Sequence, residues 1–174
     1  MSIFETERLI IRRWALEDAE AALAIYGDPD VMRGLAGTPA ANLDEQRERL
    51  TKVLERDAGS HWGMWAMETR DGTGIVGSVI LKPLPESEWV EVGWHLAQAH
   101  WGKGYATEAG AGAIRYGFHE HGLPTIYAVL LDWNIASRNV TQRLGMRYDG
   151  QTDRFYGRTL ELFSLRPGEG VDGL

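Results

Sequence analysis

Glu91 and His95 stand four residues apart in Trp89-Val90-Glu91-Val92-Gly93-Trp94-His95-Leu96, and Gly102-Lys103-Gly104 follows a short connection later. A carboxylate and an imidazole can carry protons, and glycines beside a helix start can hold an anion. Val90, Val92, Trp94 and Leu96 share one face at period two, which leaves Glu91, Gly93 and His95 on the other. That pattern is a strand with one apolar and one polar face. From Tyr105 to Phe118 the pattern becomes helical and rich in alanine and glycine. A glycine-flanked turn feeding such a helix leaves several N–H groups unpaired, and the positive end of the helix dipole adds to them. Phosphate is the anion that suits it.

Three phosphate loops compete for this stretch. The Walker pattern needs Ser or Thr after Gly-Lys, but Gly104 follows Lys103, so it fails. The dinucleotide fingerprint needs a third glycine where Thr107 stands, and a βαβ unit where the chain reads as antiparallel strands. The diphosphate loop of an acyl-coenzyme A binder needs only two glycines one residue apart at a strand's end. It remains, beside the plain alternative that the glycines make a tight strand-to-helix turn.

The elements that must position these residues read as follows. Glu7–Trp14 is a strand, Glu17–Tyr26 a helix, and Gly27-Asp28-Pro29-Asp30 its stop. Val31–Asn42 reads as a movable loop, and Asn42 or Asp44 caps a charged helix that runs to Asp57. His61–Glu68 and Ile75–Lys82 are strands joined by an Asp-Gly hairpin turn, and they precede the Glu91 strand. After the long helix come a strand at Thr125–Leu131, a short helix at Ile135–Leu144, and a hairpin of Met146–Asp149 with Arg154–Leu165. Residues 167–174 are expected to be a disordered tail. The order β-α-α-β-β-β-α-β-α-β-β is that of a mixed α/β sheet.

At 174 residues the length fits one domain, 1–174, with room for a sizeable core. A net charge of −7 argues against nucleic acid or an anionic membrane as partner, and leans slightly toward a cationic acceptor. With no cysteine, disulfides, thiolate-bound metal and a cysteine-bound acyl intermediate are excluded. His119 and His121, two apart and followed by Gly122 and Pro124, read as a helix stop; a metal pair on one face needs a spacing of four. No metal site is expected. Neither a signal core nor a membrane-length apolar run is present, so the cytoplasm is the expected location.

Thr6-Glu7-Arg8-Leu9, Glu17-Asp18-Ala19, Asp28-Pro29-Asp30-Val31-Met32, Ile75-Val76-Gly77-Ser78 and Glu91-Val92-Gly93-Trp94 occur in that order. Trp101-Gly102-Lys103-Gly104-Tyr105-Ala106-Thr107-Glu108-Ala109, Asn134-Ile135-Ala136-Ser137 and Leu144-Gly145-Met146 follow. Together they resemble the GNAT superfamily of N-acetyltransferases, in particular its RimJ/RimL-type ribosomal-protein branch, over nearly the whole chain. The resemblance implies an α/β (α+β) fold: a mixed, mostly antiparallel sheet of about seven strands, splayed between strands 4 and 5, with about four helices. It implies acetyl-CoA as co-substrate in that V, its pantetheine arm on Leu96 and Ala97 and its diphosphate on the amides of Gly102, Lys103, Gly104, Tyr105 and Ala106. Where the superfamily usually opens this loop with glutamine or arginine, the chain has Ala99. The resemblance leaves the oligomeric state open, with a homodimer as its suggestion.

Acetyl transfer to an amine needs a base, because an ammonium of pKa about 10 is no nucleophile. It also needs a donor for the developing oxyanion, here a backbone N–H of the Glu91 strand. Glu91 is the leading base, on a strand where the family often carries a carboxylate; His95 is second, and Glu68 a distant third. The thiolate-side tyrosine of much of the superfamily falls at Thr141, so that role cannot be carried over. In the RimJ/RimL-type branch a serine of Asn-x-x-Ser resembles that donor and matches Ser137; Asn134 then binds cofactor or caps the helix. The tryptophans read mainly as packing, although Trp14 with Val31–Asn42 could wall the acceptor cleft. The function implied is acetyl-CoA-dependent N-acetyl transfer, directly to a primary amine on a small molecule or a protein N-terminus. A non-catalytic acyl-CoA binding or sensing module is the alternative, supported by Ala99 and Thr141.

Overall fold

Eight strands form the sheet in the computed structural model, which describes residues 1–170. The strand beyond the expected seven is β1 (Ser2–Glu5), four residues that turn at Thr6 and pair with β2 (Leu9–Arg12). It is too short for its alternation to show in sequence. β3 (Gly63–Thr69), β4 (Ile75–Pro83) and β5 (Val90–Leu96) continue the antiparallel run, so the expected fourth strand is β5. β6 (Ile126–Leu130), β7 (Arg147–Thr152) and β8 (Leu160–Leu165) complete the order β1-β2-β3-β4-β5-β6-β8-β7. The lone parallel pairing among the described strands, β5 with β6, holds only at Val90↔Ile126 and Glu91↔Tyr127. Beyond Glu91 the two strands part. This is the V expected between strands 4 and 5, now between β5 and β6.

Five helices flank the sheet: α1 (Ala19–Tyr26), α2 (Pro29–Gly34), α3 (Leu43–Asp57), α4 (Tyr105–His121) and α5 (Ile135–Arg143). The helix α2 lies where a loose loop was expected. Asp28 is its N-cap, accepting from the amides of Asp30 and Val31, and Pro29 takes the first helical position. The same Asp-Pro pair that stops one helix starts the next. The cap of α3 is Asn42, and α4 ends at Gly122 in left-handed backbone, as the glycine and the flanking histidines predict.

α4 covers one face of the sheet, packing Ala109, Ala113 and Ile114 with Val90 and Val92. The other face lies under α1, α2 and α3, where Ile25, Val31 and Leu50 pack with Trp14. β5 therefore shows its valines to α4 and its Glu91–His95 face to the α1–α2 side. Of the expected disordered tail, Pro167–Gly170 forms a turn, with the Glu169 amide donating to the Arg166 carbonyl at 3.0 Å. Residues 171–174 lie outside the described residues.

Gly77 fixes the spacing of β4 against β5 at the open end of the V. A Cβ there would meet the His95 carbonyl oxygen at 2.2 Å and the Leu96 side chain at 2.8 Å. Backbone has no rotamer to retreat into, so the strands must separate. Gly77→Ala is expected to cost about 2 kcal/mol of stability, read by chemical denaturation. An unchanged midpoint would show that the ladder can yield there.

Candidate active site

The antiparallel ladder of β4 with β5 decides which β5 amides face the V. The Ala97 amide donates to Val76 O at 3.0 Å, so the alternation of narrow and wide pairs turns the amides of Leu96 and Trp94 away from β4, toward the parted β6. Leu96 O accepts the Trp101 indole N–H at 3.0 Å. Ala97, expected to hold the pantetheine arm beside Leu96, is engaged on both sides. Its carbonyl accepts the His100 amide at 2.9 Å. The open edge is therefore offered by Trp94 and Leu96.

At the end of this edge a turn leads into α4. Gly102 and Gly104 have φ of 74° and 84°, backbone that side chains resist. Among the described residues, the amides of Gly102, Lys103, Gly104, Tyr105 and Ala106 have no protein acceptor. Left-handed positions on either side of Lys103, followed by a helix start, are a backbone pattern that can present free N–H groups to an anion. The turn is braced from a distance. Arg8 Nη1 donates to Lys103 O at 2.9 Å, its Nε to Glu108 at 2.6 Å, and its guanidinium lies 4.7 Å from the Tyr105 ring centroid. Glu108 would repel an anion at the helix start; the ion pair with Arg8 offsets it. Lys103 is exposed.

The V holds an open cavity of about 350 Å³ that brings Glu91, Asn134 and Ser137 together, and His95 also lines it. Glu91 is 7% exposed, and burial pushes its carboxyl above the usual range. Two contacts oppose that: the Tyr156 hydroxyl donates to Oε1, and Lys82 Nζ lies 3.8 Å from it. Tyr156 is a site residue that the sequence did not disclose. It sits between β7 and β8, where a strand was expected, in left-handed backbone (φ 57°) before Gly157. Burial, then the charge of Glu91, raise its phenol, so it stays protonated as a donor.

His95 is held differently. Its Nδ1 lies 3.0 Å from the Tyr26 hydroxyl, which lies 2.7 Å from Ser78 Oγ, and burial lowers the imidazole to about 4. It is neutral at neutral pH and tied into the α1 side. Ser137 occupies the first turn of α5. Its amide donates to Asn134 Oδ1 at 3.1 Å, so Asn134 is the N-cap. The Ser137 hydroxyl has no protein partner among the described residues. Asn134 Nδ2 also reaches across to Gly34 O at 3.3 Å, joining α5 to the end of α2 over the cavity. Thr141, where the superfamily's tyrosine would fall, is fully buried and donates to Arg138 O at 2.8 Å. Trp14 packs in the α1–α3 core, not on the cleft, and Glu68 pairs with Arg12.

The sheet is mostly antiparallel and splays at its one parallel pair among the described strands, with unpaired amides at the mouth of the V and a buried carboxylate inside. Residues 8–147 match the acetyltransferase (GNAT) domain, and the chain belongs to that family. It is 25% identical to the uncharacterized N-acetyltransferase p20 of Bacillus licheniformis, over 94% of each chain. It is also similar to a GNAT-family acetyltransferase of Bacillus anthracis, at a TM-score of 0.78 and 24% identity over 93% of this chain and 96% of that one. Mycobacterium smegmatis RimJ, solved in complex with CoA-disulfide, shares the fold at a TM-score of 0.72 and 19% identity, over 92% and 86%. The chain is an N-acetyltransferase. Domains of this family use acetyl-CoA as co-substrate.

Proposed function

We propose that the chain moves an acetyl group from acetyl-CoA directly to a primary amine in the V between β5 and β6. One observation carries this. A single strand, β5, bears the buried Glu91 at its inner end, then the open amides of Trp94 and Leu96, and leads into the unpaired amides of Gly102–Ala106. These groups fit the co-substrate in order: diphosphate on the Gly102–Ala106 amides, with Lys103 adding charge, and pantetheine along Leu96 and Trp94. Acetyl-CoA supplies the thioester acetyl and a thiolate leaving group.

Glu91 takes the proton from the incoming ammonium, directly or through water. Its raised carboxyl, nearer neutrality than an ordinary glutamate, matches that task. Tyr156 holds the carboxylate in place by donating to it. An open N–H of β5 faces the oxygen on which charge develops. Ser137, with its hydroxyl unengaged and Asn134 fixing its backbone, donates toward the leaving sulfur. We place the chain in the RimJ/RimL-type branch on the Asn134-to-Ser137 motif; the likeness to the Mycobacterium smegmatis protein supports the fold alone.

The sensing-module reading draws on Thr141, which is buried and engaged. Calorimetric titration with CoA, followed by thiol release over a panel of amines, separates the two. Binding together with release is expected. Binding without release from any acceptor would favour the sensor, and no binding would remove both.

A further inference from the structure

We infer that the acceptor is a small amine bearing an anionic group, held between Glu91 and Arg158; this rests on the acetyl-transfer reading above. The chain as a whole carries −7. The cleft does not share that balance. Among its lining residues Glu91 is the single carboxylate, against Lys82 and Arg158. Lys82 already faces Glu91 at 3.8 Å and lies 5.8 Å from the Tyr156 ring centroid, so it balances the one acid present. Arg158 is left over. Its Nε meets the Tyr156 carbonyl at 3.4 Å, and among the described residues no carboxylate pairs with it.

A guanidinium presents a planar fork of donors that matches a carboxylate or phosphate. Arg158 follows Tyr156 by two residues in the same loop, and Tyr156 donates to Glu91. Glu91 and Arg158 line the same cavity, so an acceptor whose amine meets Glu91 can turn its other end to this guanidinium. Size points the same way. The cavity of about 350 Å³ must also take the thioester end of the co-substrate, and the Asn134–Gly34 bridge crosses over it. An amino acid or an aminoalkyl phosphate carries an amine and an anion on one compact frame.

The test compares thiol release with four kinds of acceptor: α-amino acids, aminoalkyl phosphates, the matching neutral primary amines, and short C-terminally amidated peptides with free N-termini. An anionic acceptor is expected to exceed its neutral match in kcat/KM by about tenfold, chiefly through KM. Whichever anionic arm leads identifies the group as carboxylate or phosphate. In Arg158→Gln that ratio should collapse toward one, and Arg158→Lys should restore part of it. Arg158 is exposed, so the fold is not at stake in either variant. Neutral amines or amidated peptides acetylated as well as the anionic acceptors would overturn the inference, as would a ratio that Arg158→Gln leaves intact. In those cases CoA binding and acetyl transfer persist, and only the acceptor assignment falls. Loss of CoA binding in the wild type would instead remove the reading beneath it.

Discussion

Glu91→Gln is expected to lower kcat/KM by about 10²- to 10³-fold while leaving CoA affinity in place. Glutamine keeps the shape and can still accept from Tyr156, but it cannot take a proton. The pH dependence gives the sharper readout. Burial holds the Glu91 carboxyl above its ordinary 4.5, so the wild-type acid limb lies above that value and flattens as Glu91 ionises. The variant should lose this limb and keep only the rise set by deprotonation of the amine. Stability should move the opposite way. A carboxyl whose folded pKa is raised contributes stability below its unfolded pKa and loses it as pH climbs through the folded value. At neutral pH the wild type therefore carries a buried charge that the variant lacks, and Tm for Glu91→Gln should be no lower than wild type. An unchanged pH profile would remove Glu91 as the base.

Gly102→Val should weaken CoA binding by about tenfold to thirtyfold with the fold intact. The cause is local. At φ 74° a β-branched residue costs about 1–2 kcal/mol, so the turn relaxes and its amides no longer converge. A Cβ at Gly102 meets nothing within 4 Å, so the rest of the protein has no reason to respond. Titration calorimetry with CoA, paired with a thermal melt, checks both halves. Undiminished affinity would mean that Lys103 or more distant groups hold the diphosphate, not the main chain.

Some of this was readable from the sequence and some was not, for physical reasons. α4 was legible at both ends because a glycine turn starts it and His-Glu-His-Gly stops it, with a long helical pattern between. The polar face of β5 was legible at period two, which singled out Glu91 and His95. The V came only through the resemblance, since no spacing announces where two strands distant in sequence cease to pair. β1 was missed for its length, and α2 because Asp28-Pro29 serves as stop and start at once. Tyr156 was out of reach for another reason: it meets Glu91 across 65 residues of chain, and its loop carries no pattern. Arg8 was part of a familiar motif, but its grip on the Lys103 carbonyl, 95 residues away, exists only in the folded chain. Nor does spacing tell which amides of a strand face a gap: the phase of the β4–β5 ladder turns those of Trp94 and Leu96 toward it and sets the Ala97 amide on Val76.

A crystal structure with acetyl-CoA or CoA tests the central claim most directly. The account predicts diphosphate oxygens within hydrogen-bond distance of the Gly102–Ala106 amides, and the sulfur inside the V near Ser137, with Glu91 on the acceptor side. A diphosphate bound elsewhere, with those amides facing only solvent, would contradict it.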